Sequence, residues 1–188
     1  MNKNKKQHYV NNGDFLDAMV TYRDLVIVSK ETDGPRPKMP NYIGECFIKI
    51  ATHLSYKPNF INYTFRDDMI ADGIENCLQY IDNFDPAKSK NPFAYFTQII
   101  YYAFLRRIQK EKKQLYVKYR AIERSGLMDQ LVHHDSHGEH TGIVKQPALY
   151  ENMQEFITTF EAGIQKQRQK TKITKKKKGL EKFEKEKS

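Results

Sequence analysis

The sequence predicts an all-α protein, and three observations carry that reading. Apolar residues recur at three- and four-residue spacing through successive stretches, as the buried face of a helix requires. Segments rich in proline or glycine separate those stretches. No pair of alternating apolar and polar segments reads as two strands joined by a turn.

The elements follow in order. "NNGDFLDAMVTYRDLVIVSK" reads as a first helix, with Phe15, Met19 or Val20, Tyr22 or Arg23, and Val26 on its inner side. "ETDGPRPKMP" stops it, because three prolines and a glycine in ten residues cannot continue a helix. "NYIGECFIKIATHLSYK" predicts a second helix, with Asn41 as its cap and Ile43, Phe47, Ile50, Ala51 and Leu54 sharing a face. Pro58 and the short "NFINY" end it. A third helix is expected to open at Thr64, with Asp67 as capping-box partner. Its stripe is Ile70, Ile74, Leu78 or Cys77, Ile81 and Phe84. After the turn "DPAKSK", Asn91 caps a fourth helix with Pro92 in its first position, and that helix runs well past Lys113. A polar loop beyond Gly126 leads to a short amphipathic helix from about Ala148 to Phe160, and the Lys-rich end is expected to be disordered. The organisation is therefore an N-terminal helix and linker (1–40), a compact helical domain (41–125), a polar loop and helix (126–164) and a basic tail (165–188).

Charge is segregated along the chain. The formal net charge is +9, yet residues 165–188 hold eleven Lys or Arg against three Glu, a net +8. The other 164 residues carry only +1. Within them, Leu105 to Arg124 is net +6 and Ser125 to Ile164 net −5. One concentrated basic stripe is the footprint of a nucleic-acid binder more than uniform basicity would be. Two cysteines, Cys46 and Cys77, lie among apolar helical residues without metal-ligand spacing, which fits a reduced intracellular protein. No apolar run approaches the ~18 residues of a membrane span, so neither signal peptide nor anchor is expected.

The segment "NPFAYFTQIIYYAFLRRIQKEKK" (91–113) is denser in aromatic residues than an ordinary soluble helix. Wound at about 100° per residue, it sets Phe93, Phe96, Ile100, Ala103, Phe104 and Ile108 on a core side. Tyr95, Tyr102, Arg106 and Lys113 fall opposite, flanked by Gln98 and Gln109. Rings beside cations stack on unpaired bases and hold phosphates. The plainer alternative is that Tyr95 and Tyr102 pack on a neighbouring helix. On the third helix Asp68, Asp72, Glu75 and Gln79 share one face. By spacing alone that is a solvated face.

The stretch "DDMIADGIENCLQYIDNFDPAKSKNPFAYFTQIIYYAFLRRIQK" resembles the core of bacterial sigma factors, the promoter-recognition subunits of RNA polymerase. The family pattern there is approximately D-L-I-Q-E-G, then K-F-D, then F-S-T-Y-A leading into an aromatic helix with a basic end. Asp68, Asp72 and Gly73 match its first block, Phe84 and Asp85 the second, and Phe93, Tyr95 and Phe96 the third. With "YVNN" near the start and "VKY" beyond "RIQKEKK", the chain is most similar to the short, divergent sigma factors of tailed phages that direct late transcription. The likeness spans about residues 9–120.

This resemblance implies a compact sigma-core-type domain acting in the cytoplasm of an infected bacterial host. The implied function is to bind the host's core RNA polymerase and to recognise and open a short A/T-rich element of late promoters. It implies promoter-DNA contact by Tyr95, Phe96, Ile99, Tyr102, Arg106, Arg107, Lys110 and Lys113, and polymerase docking by Asp68, Asp72, Glu75 and Gln79. Late phage factors also use a coactivator and the replication sliding clamp, the clamp through an apolar, acidic C-terminal motif. Leu180 and Phe183 take that position here, among lysines that dilute the acidity. Ile99 and Ile100 stand where primary sigma factors carry a Trp pair.

The cluster His133, His134, His137 and His140 has helical metal-ligand spacing, but Gly138 and its polar surroundings argue against a preorganised site. No nucleophile elbow, Gly-rich phosphate loop or paired catalytic carboxylates occur, so neither an enzyme nor a cofactor is expected. A membrane partner is not expected either. The rival reading is a helical DNA- or RNA-binding protein that uses the same aromatic-basic helix without a polymerase partner.

Overall fold

The structure is a computed structural model that describes residues 9–126 and 146–185, with side chains described for 150–174 of the second stretch. Five α-helices and no strand occur among them: α1 (Asn12–Glu31), α2 (Asn41–Ser55), α3 (Arg66–Tyr80), α4 (Pro92–Arg124) and α5 (Gln146–Lys185). A 3-10 turn, Ile81–Asn83, follows α3. The chain is all-α, as its patterning predicts. It divides into two units, Met1–Lys110 and Glu111–Ser188, with α4 contributing to both.

In the first unit α1 starts where Asn11 accepts the N–H of Gly13 at 3.0 Å, and it buries Phe15, Met19, Tyr22 and Val26. Asn41 is not a cap. It is the first residue of α2, and Pro40, with φ −56° and ψ 136°, supplies the extended entry. The Thr64–Asp67 capping box is likewise absent. Phe65 occupies the cap position of α3 and its carbonyl accepts from the Met69 N–H at 3.1 Å. Phe65 also packs against the core, so burial of its ring sets the helix start. The expected cap of α4 does form, with Asn91 Oδ1 accepting from the Ala94 N–H at 2.9 Å. The Phe93 N–H donates to Asn12 Oδ1 at 3.2 Å, tying the start of α4 to that of α1.

The inner stripe of α3 is rotated from the expected one. Met69, Gly73 and Cys77 are buried, Ile70 and Ile74 are half-buried, and Leu78 is 46% exposed. The cause is the close approach of α4. A Cβ added to Gly73 would lie 3.0 Å from Ile100 Cγ2 and 3.1 Å from a Phe104 ring carbon. Only the edge of α3 carrying its smallest residue fits there, and that turns Leu78 outward. Burial pushes the Cys77 thiol up to about 12.

Phe96 is the hub of the core. Its ring centroid lies 4.6 Å from Phe47 of α2, 5.7 Å from Phe15 of α1 and 5.9 Å from Phe84 after the 3-10 turn. Phe60, from the α2–α3 connection, closes the other end edge-on to Phe104 at 5.1 Å. Arg23 bridges α1 to the turn beyond α3, donating to the Phe84 carbonyl at 3.1 Å and to Asp85 Oδ1 at 2.7 Å. The Arg23 hydrogen bond, then the Ala87 N–H, holds the Asp85 carboxyl below its ordinary range. A depressed folded-state value means this contribution is present above the unfolded pKa and is lost as pH falls through the folded one.

In the second unit residues 116–123 of α4 pair antiparallel with α5. Tyr116 stacks on Phe160 at 4.7 Å, and Tyr119 meets Phe156 edge-on at 5.5 Å. Tyr116 donates its hydroxyl to Glu161 at 2.7 Å, Arg120 lies 3.3 Å from Glu161, and Gln154 donates to Glu123 at 2.9 Å. The helix expected over about 148–160 therefore continues to Lys185, since residues 161–185 contain no proline and are rich in Lys, Gln and Glu. From Gln165 to Thr174 no side chain is buried, so that stretch of tail stands outside any packed core.

Two substitutions separate the buried ring of Phe96 from the outward side chain of Leu78. Phe96→Ala is expected to cost about 3–5 kcal/mol of folding stability, measured by urea denaturation. Leu78→Ala is expected to change it by less than about 0.5 kcal/mol, because Leu78 is not in the core.

Candidate nucleic-acid interface

Burial of Phe96, Ile100, Ala103, Phe104 and Ile108 fixes the rotation of α4 in the first unit. The opposite side then faces water. Tyr102 is 50% exposed, Tyr101 is 37% exposed, and Arg106 and Lys110 are exposed. The two tyrosines meet edge to face at 5.8 Å, and Tyr101 also leans edge-on against Phe60 at 5.6 Å. One ring of the pair is thus supported from beneath while its neighbour projects. Arg106, one turn beyond Tyr102, donates to Asn76 Oδ1 on α3 at 2.6 Å. Arg106 and Tyr102, four residues apart, are both exposed on one side of α4, residue types suited to pairing with a phosphate and stacking on a base.

Not all the residues expected to meet DNA are on this surface. Phe96 is fully buried, because its ring is the hub that joins three other segments. Ile99 is half-buried against the core. Tyr95 is half-buried as well, 5.3 Å from Phe84 and 5.1 Å from Phe96, and burial raises its hydroxyl pKa. These three are packing residues in this fold. Lys113 is exposed on the part of α4 belonging to the second unit.

Arg107 and Asp72 must be reassigned together. Arg107 Nε and Nη2 donate to the two Asp72 carboxylate oxygens at 2.6 and 2.9 Å, a bidentate pair whose side chains are only 17% and 29% exposed. Asp72, expected on a docking face, and Arg107, expected on DNA, are instead each other's partners in the α3–α4 seam. Asn76 extends the seam, donating to the Asp72 carbonyl at 2.7 Å while accepting from Arg106. The remaining residues of the acidic set, Asp68, Glu75 and Gln79, are exposed. With Asp72 paired to Arg107 and Leu78 turned out, the outer side of α3 carries Asp68, Glu75 and Gln79 with Leu78 exposed near its C-terminal end.

Tyr101 escapes the periodic reading, and of the two residues that reading offers for the inner stripe of α3, Leu78 or Cys77, it is Cys77 that is buried. Nothing in the order of residues marks Tyr101, because its role depends on Phe60 in a connection too short for any periodicity. Leu78 is displaced by Gly73. The His133–His140 cluster lies outside the described residues, as do the side chains of Leu180 and Phe183 on the α5 backbone. Among the described residues, no group of three or more His, Cys, Asp or Glu is placed to hold a metal ion, and no helix is long and apolar enough to cross a membrane.

The seam has a direct test. Asp72→Lys strands Arg107 and is expected to cost roughly 1–3 kcal/mol of stability, with partial exposure keeping it below the range for a fully buried pair. Asp68→Lys, on the exposed part of the same helix, is expected to stay within about 0.5 kcal/mol, both read from thermal melts. Comparison of the chain with protein-family models and with curated proteins finds no match in either set.

Proposed function

We propose that this chain is a sigma-like initiation factor that joins host core RNA polymerase to phage late promoters and helps to open a short A/T-rich element. The observation that carries the reading is the pairing of two chemically opposite faces on adjacent helices of one unit. α4 presents Tyr101, Tyr102, Arg106 and Lys110, and α3 presents Asp68, Glu75 and Gln79 with Leu78 exposed on the same helix. The sigma-like order of motifs through residues 68–107 supports the same assignment.

In this proposal α3 docks on a basic surface of polymerase. Complementary charge speeds the encounter, and the exposed Leu78 supplies an apolar anchor beside the charges. The Tyr101–Tyr102 pair receives bases from the strand released as the duplex opens. Stacking contributes about 1–3 kcal/mol per base and needs no paired edge, so it favours the open state over the closed one. Arg106 and Lys110 neutralise phosphates of that strand. Polymerase performs the chemistry. Coactivator and clamp contacts, with Leu180 and Phe183 as clamp residues, stay within the proposal, as does action in the host cytoplasm.

A second reading draws support from the Asp72–Arg107 pair: with one carboxylate withdrawn from the acidic face, a DNA- or RNA-binding protein without polymerase is the competing class. Pull-down with core polymerase separates the two. Wild type is expected to be retained, and Leu78→Asp with Glu75→Lys is expected to weaken retention while the melting temperature holds. No retention of the wild-type chain would leave the second reading standing.

Promoter opening gives the companion prediction. Tyr102→Ala is expected to keep its stability and polymerase affinity and to lose opening on duplex templates, scored by permanganate reactivity of unpaired thymines. A template with those bases already unpaired is expected to restore part of the activity. Normal opening by Tyr102→Ala would remove the ring from the mechanism.

A further inference from the structure

The second unit carries a surface that the proposed function does not use. There α4 and α5 pair antiparallel, and the two long edges of the pair differ in character. Along one edge Arg120 pairs with Glu123 at 2.6 Å and with Glu161 at 3.3 Å, and Gln154 donates to Glu123 at 2.9 Å. The polar groups of that edge are engaged with one another. The other edge is apolar. Leu115, Tyr119 and Ile122 form one stripe of α4, four and then three residues apart, and Tyr119 meets Phe156 of α5 edge-on at 5.5 Å. Phe156 in turn stacks with Phe160 at 6.0 Å. Wound as a helix, α5 sets these two rings to one side of Met153 and Ile157, and Gln154 and Glu161 to the other.

The apolar edge is incompletely covered. Met153 and Ile157 are the only fully buried side chains among the described residues of this unit, while all five residues of the edge are half-buried. Two helices cover the seam between them and leave the outer flank of each stripe to a further layer. Charge selects what that layer is. Residues 111–124 of α4 hold five Lys or Arg against two Glu, a net +3, and residues 146–164 of α5 hold three Glu and no Lys or Arg, a net −3. An edge with equal and opposite charge on its two sides complements a copy of itself turned about a two-fold axis. That operation sets each α4 against the α5 of the other copy. A helix of one sign would match one side and be repelled by the other.

We propose that this edge is a self-association surface, on which two copies of the chain join their α4–α5 pairs into a four-helix bundle. Leu115, Tyr119, Ile122, Phe156 and Phe160 of each copy form its centre. Lys118, beside Leu115 and Ile122, and Glu155, beside Phe156, are both exposed at the rim, where Lys118 of one copy faces Glu155 of the other. The inference goes beyond the initiation reading and does not rest on it. The rival occupant within the chain is the segment 127–145, whose net charge of −2 suits α4 and opposes α5.

The experiment is sedimentation equilibrium of the full chain, without polymerase or DNA. Wild type is expected to dimerise with a dissociation constant on the order of 1–100 μM, as suits an interface of small area. Lys118→Glu and Glu155→Lys are each expected to weaken dimerisation at least about fivefold, because both rim pairs of the dimer turn repulsive. Each changes an exposed side chain, so helical content and melting temperature are expected to hold. An equimolar mixture of the two variants sets opposite charges at both rims again, and is expected to dimerise within about twofold of wild type. A wild-type chain that stays monomeric would assign the edge to the segment 127–145 or to another protein, and would overturn the proposal. Dimers indifferent to either reversal, or variants that do not recover on mixing, would place self-association elsewhere on the chain and overturn it as well.

Discussion

The packing of Phe96 is the constraint on which the rest of the first unit depends. A single ring touches Phe15, Phe47 and Phe84, and so gathers α1, α2 and the turn beyond α3 around α4. Interiors are close-packed, and a ring held on three sides leaves a helix no rotational freedom. Once Phe96 points inward, Ile100 and Phe104 must follow it at helical spacing, and Tyr102 and Arg106 must emerge opposite. The exposed chemistry of α4 is therefore a consequence of where its most buried residue sits. Ile99 and Tyr95, beside Phe96, are drawn partly into the same core.

The α3–α4 seam then decides what each face has to offer. Gly73 removes the side chain that would otherwise hold the helices apart, and this close approach brings Asp72 within reach of Arg107. A bidentate pair at the edge of a core contributes direction more than net energy, because desolvation of both ions offsets much of the attraction. Here it fixes the register of one helix against the other. Arg106, next in sequence, is steadied by Asn76 from the same turn of α3. The seam thus orients the basic face through one residue and relieves the acidic face of another. It leaves Asp68, Glu75 and Leu78 exposed on the outer side of α3.

The second unit follows different physics. Its helices pair through Tyr116, Tyr119, Phe156 and Phe160, with Glu161 and Glu123 receiving hydrogen bonds from across the pair. Beyond Ile164 that pairing ceases, and Lys, Gln and Arg follow with nothing buried through Thr174. Residues 165–188 carry a net charge of +8, and as far as Thr174 this end of the chain is held by none of the packing that pairs the two helices before it.

Helical class, the inner residues of α1, α2 and α4, and the Asn91 cap were legible from local order, because 3.6-residue periodicity and capping are properties of neighbours along the chain. Periodicity also located the exposed Tyr102 and Arg106, since a strong core stripe implies its own opposite. Tertiary structure decided the rest. The α3 stripe turned because Gly73 meets Ile100, a contact between residues far apart in sequence. Tyr101 gained its support from Phe60, and Asp72 lost its exposure to Arg107. In each case the deciding atom belongs to another helix or connection. Local sequence determined which residues are helical and amphipathic. Only the packing of one helix on another determined which polar and aromatic groups remain outside, because exposure is a property of the space between elements and not of any element alone.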